Sequence, residues 1–264
     1  MSPPIPANSP DSYRLILASG SPRRRQLLAS LGLPFRVVSP EDSETEGPGI
    51  DETPRSGEPP PDLVKRLSRT KALAVVARMP ALAAPPANHP NRPPVVIIAA
   101  DTVVVLEDEI LGKPADPAEA RHMLKRLRQH RHHHVYTGLT VGVWEPNENG
   151  EAVMLIAVSP QPVSNSQFIT RLSHSRVWMR PYTDVEIEAY VASGDPLDKA
   201  GAYGIQHKTF APVERLTGCF ANVMGLPLAE LADVLAEVGF DVPAVAPHCA
   251  RYIGQPCCQQ PSNA

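Results

Sequence analysis

In RLILASGSPRRRQLL, residues 14 to 28, three consecutive arginines follow a short apolar stretch and a Ser19-Gly20-Ser21 turn. The order reads as strand, turn and helix, with Ser21 as N-cap and Pro22 at the first helical position, where a missing N–H is harmless. Such a helix start aims unpaired backbone N–H groups and the positive end of the helix dipole at one spot. Arg23 and Arg24 add planar donors suited to phosphate oxygens. A basic helix face in solvent is the competing reading, and it fits Arg25 best. The sequence holds no G-x-x-x-x-G-K-[ST], so this is not a Walker loop.

A second candidate is Asp101 in VVIIAADT, expected at the carboxyl end of a buried strand, where α/β folds place ligands. A carboxylate there can bind a divalent metal or take a proton from water. It can equally form a turn by accepting from nearby backbone N–H groups. Lys113 in LGKP follows a TVVVLEDEILG hairpin, and Lys71 lies mid-helix in RTKALAV; taken singly, each fits a solvent-facing lysine. The run HRHHHVYTG offers His132 and His134 on one face if it is a strand. With no Cys or carboxylate beside it, the run reads as a surface or loop segment rather than a metal site.

These residues need elements to hold them. Leu27, Leu28 and Leu31 give the first helix its buried face, and Gly32 ends it. A short strand FRVVS is followed by an acidic, Pro/Gly-rich loop, and then by a helix over DLVKRLSRTKALAVVARM. The segment DPAEARHMLKRLRQH opens with a capping box, Asp116 with Glu119, and TDVEIEAYVASG opens with another, Thr183 with Glu186. VYTGLTVGVW, EAVMLIAV and HSRVWM read as a strand meander, SPQPVSNSQFITRL as irregular, AYGIQ as a short strand, and LPLAELADVLAEVG as the last helix. The expected domain runs from 13 to 240, with loop insertions at about 40–61, 80–94 and 159–172. A disordered leader is expected over 1–12 and a loose tail over 241–264.

The composition is that of a globular protein, with 264 residues, 42% hydrophobic, 20% charged and a formal net charge of −3. That charge argues against a broad electrostatic nucleic-acid footprint. No apolar run approaches the roughly 18 to 20 residues of a membrane span, and MSPPIPANSPDSY has neither the basic nor the apolar region of a secretory signal. The four cysteines lack metal-ligand spacing, and reduced thiols in a cytoplasmic protein are expected. The 31 prolines fall largely in loop patches.

In order, SGSPRRRQLL, IDET, RLSRTKALAV, AADTVVVL, LGKP, HHVYTG, EIEAYVASGDPLDKAGAYGIQ and NVMGLPL resemble the Maf family of nucleoside triphosphate pyrophosphatases, from Tyr13 to Phe240. The resemblance implies an α/β fold with an elongated, mixed, twisted sheet flanked by helices. That fold is inosine-triphosphatase-like, with a cleft between two lobes, and is often found as a homodimer. It implies a house-cleaning hydrolase that cleaves an NTP to the monophosphate and pyrophosphate with a divalent metal cation (Mg²⁺, Mn²⁺ or Co²⁺). By the same resemblance Asp101 is the proton acceptor, and Lys71 and Lys113 join it as catalytic residues. Ser21, Arg23 and Arg24 bind the nucleotide, with Thr102, Gln206 and again Arg23 at positions tied to base selection. Glu52, with Asp101, is assigned to the metal.

The ADT and DKAGAYGIQ versions resemble the branch acting on dTTP, UTP and modified uridine triphosphates. A glutamine amide presents one donor and one acceptor, matching O4 and N3–H of uracil or thymine. The expected partner is therefore a nucleoside triphosphate, with no stable nucleic acid and no membrane. The alternatives are a pyrophosphatase for 7-methyl-GTP or purine NTPs, and a non-enzymatic regulator of septum formation. Three features depart from the family pattern: a longer loop before IDET, Asp195 in GDP where GEP is usual, and His207 in GIQH where a glycine is usual.

Overall fold

Long apolar and β-branched runs set the frame: Val95–Leu106 and Phe168–Met179 each form a 12-residue strand, and His132–Pro146 forms one of 15 residues. At roughly 3.3 Å per residue the longest spans about 50 Å, which makes the sheet elongated. The computed structural model describes residues 14–40, 50–78, 94–146, 152–153, 168–240, 242–247 and 250. In chain order the strands are β1 (Arg14–Leu17), β2 (Arg36–Val37), β3 (Val95–Leu106), β4 (Glu109–Leu111), β5 (His132–Pro146), β6 (Ala152–Val153), β7 (Phe168–Met179) and β8 (Val213–Thr217). The helices are α1 (Pro22–Ala29), α2 (Pro60–Val76), α3 (Pro117–Gln129), α4 (Asp184–Ala192), α5 (Phe220–Met224) and α6 (Leu228–Glu237). Two 3₁₀ turns, Asp195–Asp198 and Ala200–Ala202, lie between α4 and β8.

The strands make one mixed eight-stranded sheet in the order β2-β1-β3-β5-β7-β8, with β4 on β3 and β6 on β5. Strand β3 decides the architecture. One edge pairs with β5 from Val95 to Val105, while the other is shared by two short partners. Parallel β1 reaches only to Ile98, and antiparallel β4 begins at Val104. Between them residues 99–103 have no strand neighbour on that edge. Each end of β3 carries its own lobe. Val96 and Ile98 pack with α1 and α6, and Val104 and Leu106 pack with α3 and α4. Helix α2 crosses the junction: Leu63, Val64 and Leu67 cover Val103 and Val105, whereas Ala72 and Val75 cover Ile97 and Ala99. Gly138 of β5 allows this crossing, because a Cβ there would stand 2.2 Å from the Val64 carbonyl oxygen.

Local signals are realised closely. Ser21 caps α1, and Thr183 and Glu186 form a reciprocal capping box on α4. On α3 Asp116 accepts from the Glu119 N–H, but the Glu119 carboxylate reaches one residue further back, to the Ala115 N–H at 2.6 Å.

Longer-range expectations need correction. Asp101 is not at a strand end but inside β3, opposite Gly138, because β5 carries the ladder on after β1 has stopped. AYGIQ is no strand. Gly201 and Ala202 have φ of +69° and +59°, and the Gly204 N–H donates to the Tyr190 hydroxyl instead of a ladder. Phe168–Leu172, expected as part of an irregular insertion, are the start of β7 and pair with Gly142–Gly138 of β5. Pro60 and Pro61, placed in the loop, begin α2. Strand β8 and helix α5 had no signal at all. The leader, the 80–93 and 159–167 stretches, most of the tail, and three of the four cysteines lie outside the described residues; Cys219 is buried. No helix among the described residues is long and apolar enough to cross a membrane.

The histidine run is strand, not loop. His132 and His134 face the solvent side of β5, while His133 is buried with its Nε2 2.7 Å from the Tyr203 hydroxyl. Burial, assisted by neighbouring His134 and His132, pushes the His133 pKa down to about 3. The unfolded chain therefore takes up a proton below about 6.5 that the native protein refuses. The corresponding stability is whole above that pH and is lost as pH falls toward 3, at about 1.4 kcal/mol per unit. Urea melts at pH 7 and pH 5 are expected to differ by about 2 kcal/mol from this residue, and His133→Gln is expected to flatten the difference. An equal slope in the variant would assign the acid sensitivity to other groups.

Candidate active site

The uncovered edge of β3 opens into a cavity of about 740 Å³ between the lobes. On a paired strand, consecutive residues point to opposite faces and rarely meet one ligand. Here the missing neighbour lets both Asp101 and Thr102 line the same space. Ser21, Arg23, Arg24, Glu52, Lys71, Lys113 and Gln206 line it too, so every residue given a site role from the family resemblance reaches one cavity. Arg23, Arg24, Lys71, Lys113 and Lys199 face Glu52, Asp101 and Asp198 across it, five cations against three carboxylates. The surplus suits an anionic ligand in a confined site.

On the α2 face, Lys71 lies between the two apolar patches of the helix, its side chain 9% exposed. Its ammonium contacts Asp101 Oδ1 at 2.5 Å and Glu52 Oε1 at 2.6 Å. The two carboxylates thus converge on one cation although 49 residues separate them in sequence. Asp101 is buried, whereas Glu52 is half exposed and enters from the loop before α2. Lys113, returned by the β3–β4 hairpin, is exposed at the rim and makes no ion pair among the described residues.

On the opposite face, Arg24 is held at every donor nitrogen. Its Nε donates to the Gly225 carbonyl at 2.8 Å, Nη1 to Ser19 Oγ at 3.3 Å, and Nη2 to Thr102 Oγ1 at 3.1 Å. Gly225 has φ +108° at the end of α5, and a Cβ there would come within 3.3 Å of Arg24 Nε. Arg24 is therefore a fixed charge rather than a waving one. Arg23 reaches across to the other lobe, where its Nη1 donates to Asp198 Oδ2 at 3.0 Å. Lys199, buried, grips Asp198 Oδ1 at 2.6 Å and Asp195 Oδ1 at 3.0 Å, and Asp195 also accepts from the Tyr190 hydroxyl. Burial works against the Asp198 carboxylate, yet Lys199 and Arg23 together hold it below the ordinary carboxylate range.

Asp198, Lys199, Tyr203 and Gly225 also line the cavity, while Thr137 and Asn222 stand behind it. All six lie within the motifs DKAGAYGIQ, HHVYTG and NVMGLPL, but none was given a role from sequence. The 3₁₀ turn folds Lys199 inward, while Asp198 stays exposed at the cavity wall. His207, next to Gln206 in sequence, does not line the cavity. Its Nδ1 accepts from the Phe210 N–H at 2.9 Å, and its ring packs on Tyr190.

Two carboxylates converging on one point, beside a surplus of cations, match the way Mg²⁺ is held by one or two carboxylates with water and phosphate oxygens. No cluster of three or more His, Cys, Asp or Glu side chains is placed to hold a metal among the described residues. Among the described residues, Asp101 and Glu52 are the carboxylates that a dication would share with phosphate oxygens and water.

Residues 14–238 match the family model described as Maf-like protein. A dTTP/UTP pyrophosphatase of Pelotomaculum thermopropionicum is 40% identical over 228 residues, covering 86% of this chain and 98% of its own. One of Anaeromyxobacter dehalogenans is 43% identical over 230 residues, covering 87% and 96% respectively. A nucleoside-triphosphatase / dITP/XTP pyrophosphatase from Mycobacterium abscessus aligns with 64% of this chain and 75% of its own at 11% identity and a TM-score of 0.35, and nothing further rests on that likeness.

Proposed function

The chain belongs to the Maf family, and from that premise we propose that its cleft hydrolyses dTTP and UTP, with modified uridine triphosphates, to the monophosphate and pyrophosphate. The observation that carries the reading is the Lys71 ammonium between Asp101 and Glu52 inside a cavity with surplus positive charge. A fully ionised NTP brings about four negative charges, which a partly dry cleft must balance.

In this reading Asp101 accepts a proton from water as the water oxygen bonds to the α-phosphorus, and the α–β anhydride bond breaks to release pyrophosphate. Lys71 holds Asp101 in place and offers its charge to the phosphoryl oxygens. Arg23, Arg24 and the exposed Lys113 balance the β and γ phosphates, with Ser21 at the head of α1 beside them. A divalent metal (Mg²⁺, Mn²⁺ or Co²⁺), held by Glu52 and Asp101, would neutralise charge on the phosphates and the leaving group. Gln206, Thr102 and Arg23 select the base, the Gln206 amide matching O4 and N3–H. The enzyme acts in the cytoplasm on free nucleotide, as a homodimer, and the domain spans 13–240.

The test is pyrophosphate release by the purified protein with Mg²⁺ or Mn²⁺ across dTTP, UTP, 7-methyl-GTP, ITP and the common NTPs. Turnover of dTTP and UTP above the rest is expected. Turnover confined to 7-methyl-GTP or purine NTPs would change the branch. No turnover with either metal would overturn the enzyme reading in favour of a binding role.

A further inference from the structure

Behind the cavity, three hydroxyl and guanidinium contacts form a chain with only one possible direction. Thr137 is fully buried on β5, and its Oγ1 lies 3.0 Å from the Asn222 carbonyl oxygen and 2.9 Å from Thr102 Oγ1. A carbonyl oxygen can only accept, so the single hydroxyl proton of Thr137 goes to Asn222. The Thr102 hydroxyl must then donate its own proton to Thr137. That leaves Thr102 Oγ1 as an acceptor, and Arg24 Nη2 takes one of its lone pairs at 3.1 Å.

The anchor of this chain is itself fixed. Asn222 sits on α5 with 0% exposure, and its side-chain Nδ2 donates to the Val135 carbonyl at 3.2 Å and to Ser175 Oγ at 2.8 Å. These bonds tie the helix to β5 and β7, so its carbonyl cannot turn away. Three residues on, the Gly225 carbonyl holds the Nε of the same Arg24. The segment from Asn222 to Gly225 thereby sets both the orientation of the guanidinium and the polarity of the threonine relay.

We propose that Thr137 is a specificity-positioning residue: by taking the Thr102 proton, it makes Thr102 a hydrogen-bond acceptor alone toward the cavity. The group that meets Thr102 must then be a donor on the nucleoside, either the imide N3–H of the base or a hydroxyl of the sugar. An acceptor at that place, such as N3 of cytosine, faces another acceptor and is rejected, because a polar group left unpaired in the site loses the full value of its bond. This inference rests on the nucleotide reading above and deepens it. Thr137 touches no ligand and acts through Thr102.

The experiment compares kcat/KM for UTP, CTP and 2′,3′-dideoxy-UTP in the wild-type protein and in Thr137→Val, Thr137→Ala and Thr137→Ser. Valine keeps the shape and removes the relay; alanine, which adds no atom, serves if valine does not fold; serine keeps the hydroxyl. In wild type, UTP is expected to lead CTP, dideoxy-UTP or both. In the valine or alanine variant one lead is expected to shrink about tenfold, with thermal melts still cooperative, and serine is expected to restore it. Loss of the lead over CTP identifies N3–H as the donor; loss of the lead over dideoxy-UTP identifies a sugar hydroxyl. If both ratios stay within twofold of wild type, or the wild type prefers neither, the inference is overturned. Absence of any UTP turnover by the wild type would instead overturn the function from which it starts.

Discussion

Asp101→Asn is expected to lower kcat on dTTP and UTP by about a thousandfold while KM moves by no more than a few-fold. General-base catalysis by a placed carboxylate contributes about 10² to 10⁴ in rate. The substitution keeps the size of the side chain and leaves an amide oxygen to accept from Lys71, so packing under α2 is preserved. An amide cannot take a proton from water, and the loss therefore falls on the chemical step. Steady-state kinetics and a thermal melt together check this. More than a tenth of the wild-type kcat in a well-folded variant would remove Asp101 from the role of base.

The second large effect is expected from Lys71→Met, and it separates catalysis from stability. Lys71 and Asp101 are both about nine-tenths buried, at 9% and 10% side-chain exposure. Removing one partner of such a pair strands the other charge and costs about 3 kcal/mol or more. Methionine keeps the apolar stem that fits between the two patches of α2, so the loss reports the charge rather than a hole. Urea denaturation is expected to show that loss in Lys71→Met and recovery of most of it in Lys71→Met with Asp101→Asn, where no buried carboxylate is left stranded and Glu52 is half exposed. Activity is expected to fall at least a hundredfold in the single variant and to stay low in the double. If stability does not recover in the double variant, the buried pair is not what Lys71 contributes to the fold.

Much of the site was legible before any fold was known. The capping serine and proline of α1 act within one helical turn, as do the Asp116 and Thr183 caps, and such bonds are set by neighbours three or four residues apart. The β3–β4 hairpin is equally local, closing from Leu106 to Glu109. The family motifs carried the rest: Ser21, Arg23, Arg24, Glu52, Lys71, Asp101, Thr102, Lys113 and Gln206 were all named from sequence, and all line one cavity. His207 follows Gln206 directly yet does not line the cavity, since adjacency in sequence says nothing about which way a ring turns after a 3₁₀ segment.

What the chain alone determined, then, is chemistry and short-range form: which side chains are available, and where helices and turns begin. The tertiary structure decided what those side chains are to one another. Asp101 is open to a ligand because β1 stops at Ile98 and β4 starts at Val104, and neither end is written near Asp101 itself. Lys71 meets both Glu52 and Asp101 because α2 crosses that gap, and Gly138 lets it lie close enough. Arg23 meets Asp198 across 175 residues, and Thr102 acquires its polarity from Thr137 and a carbonyl of α5. These are contacts between parts of the chain that share no local conformational signal. They exist only when the ladders of β3 and β5 bring both lobes onto one sheet, because hydrogen-bond direction and ion pairing depend on distances in space rather than along the sequence.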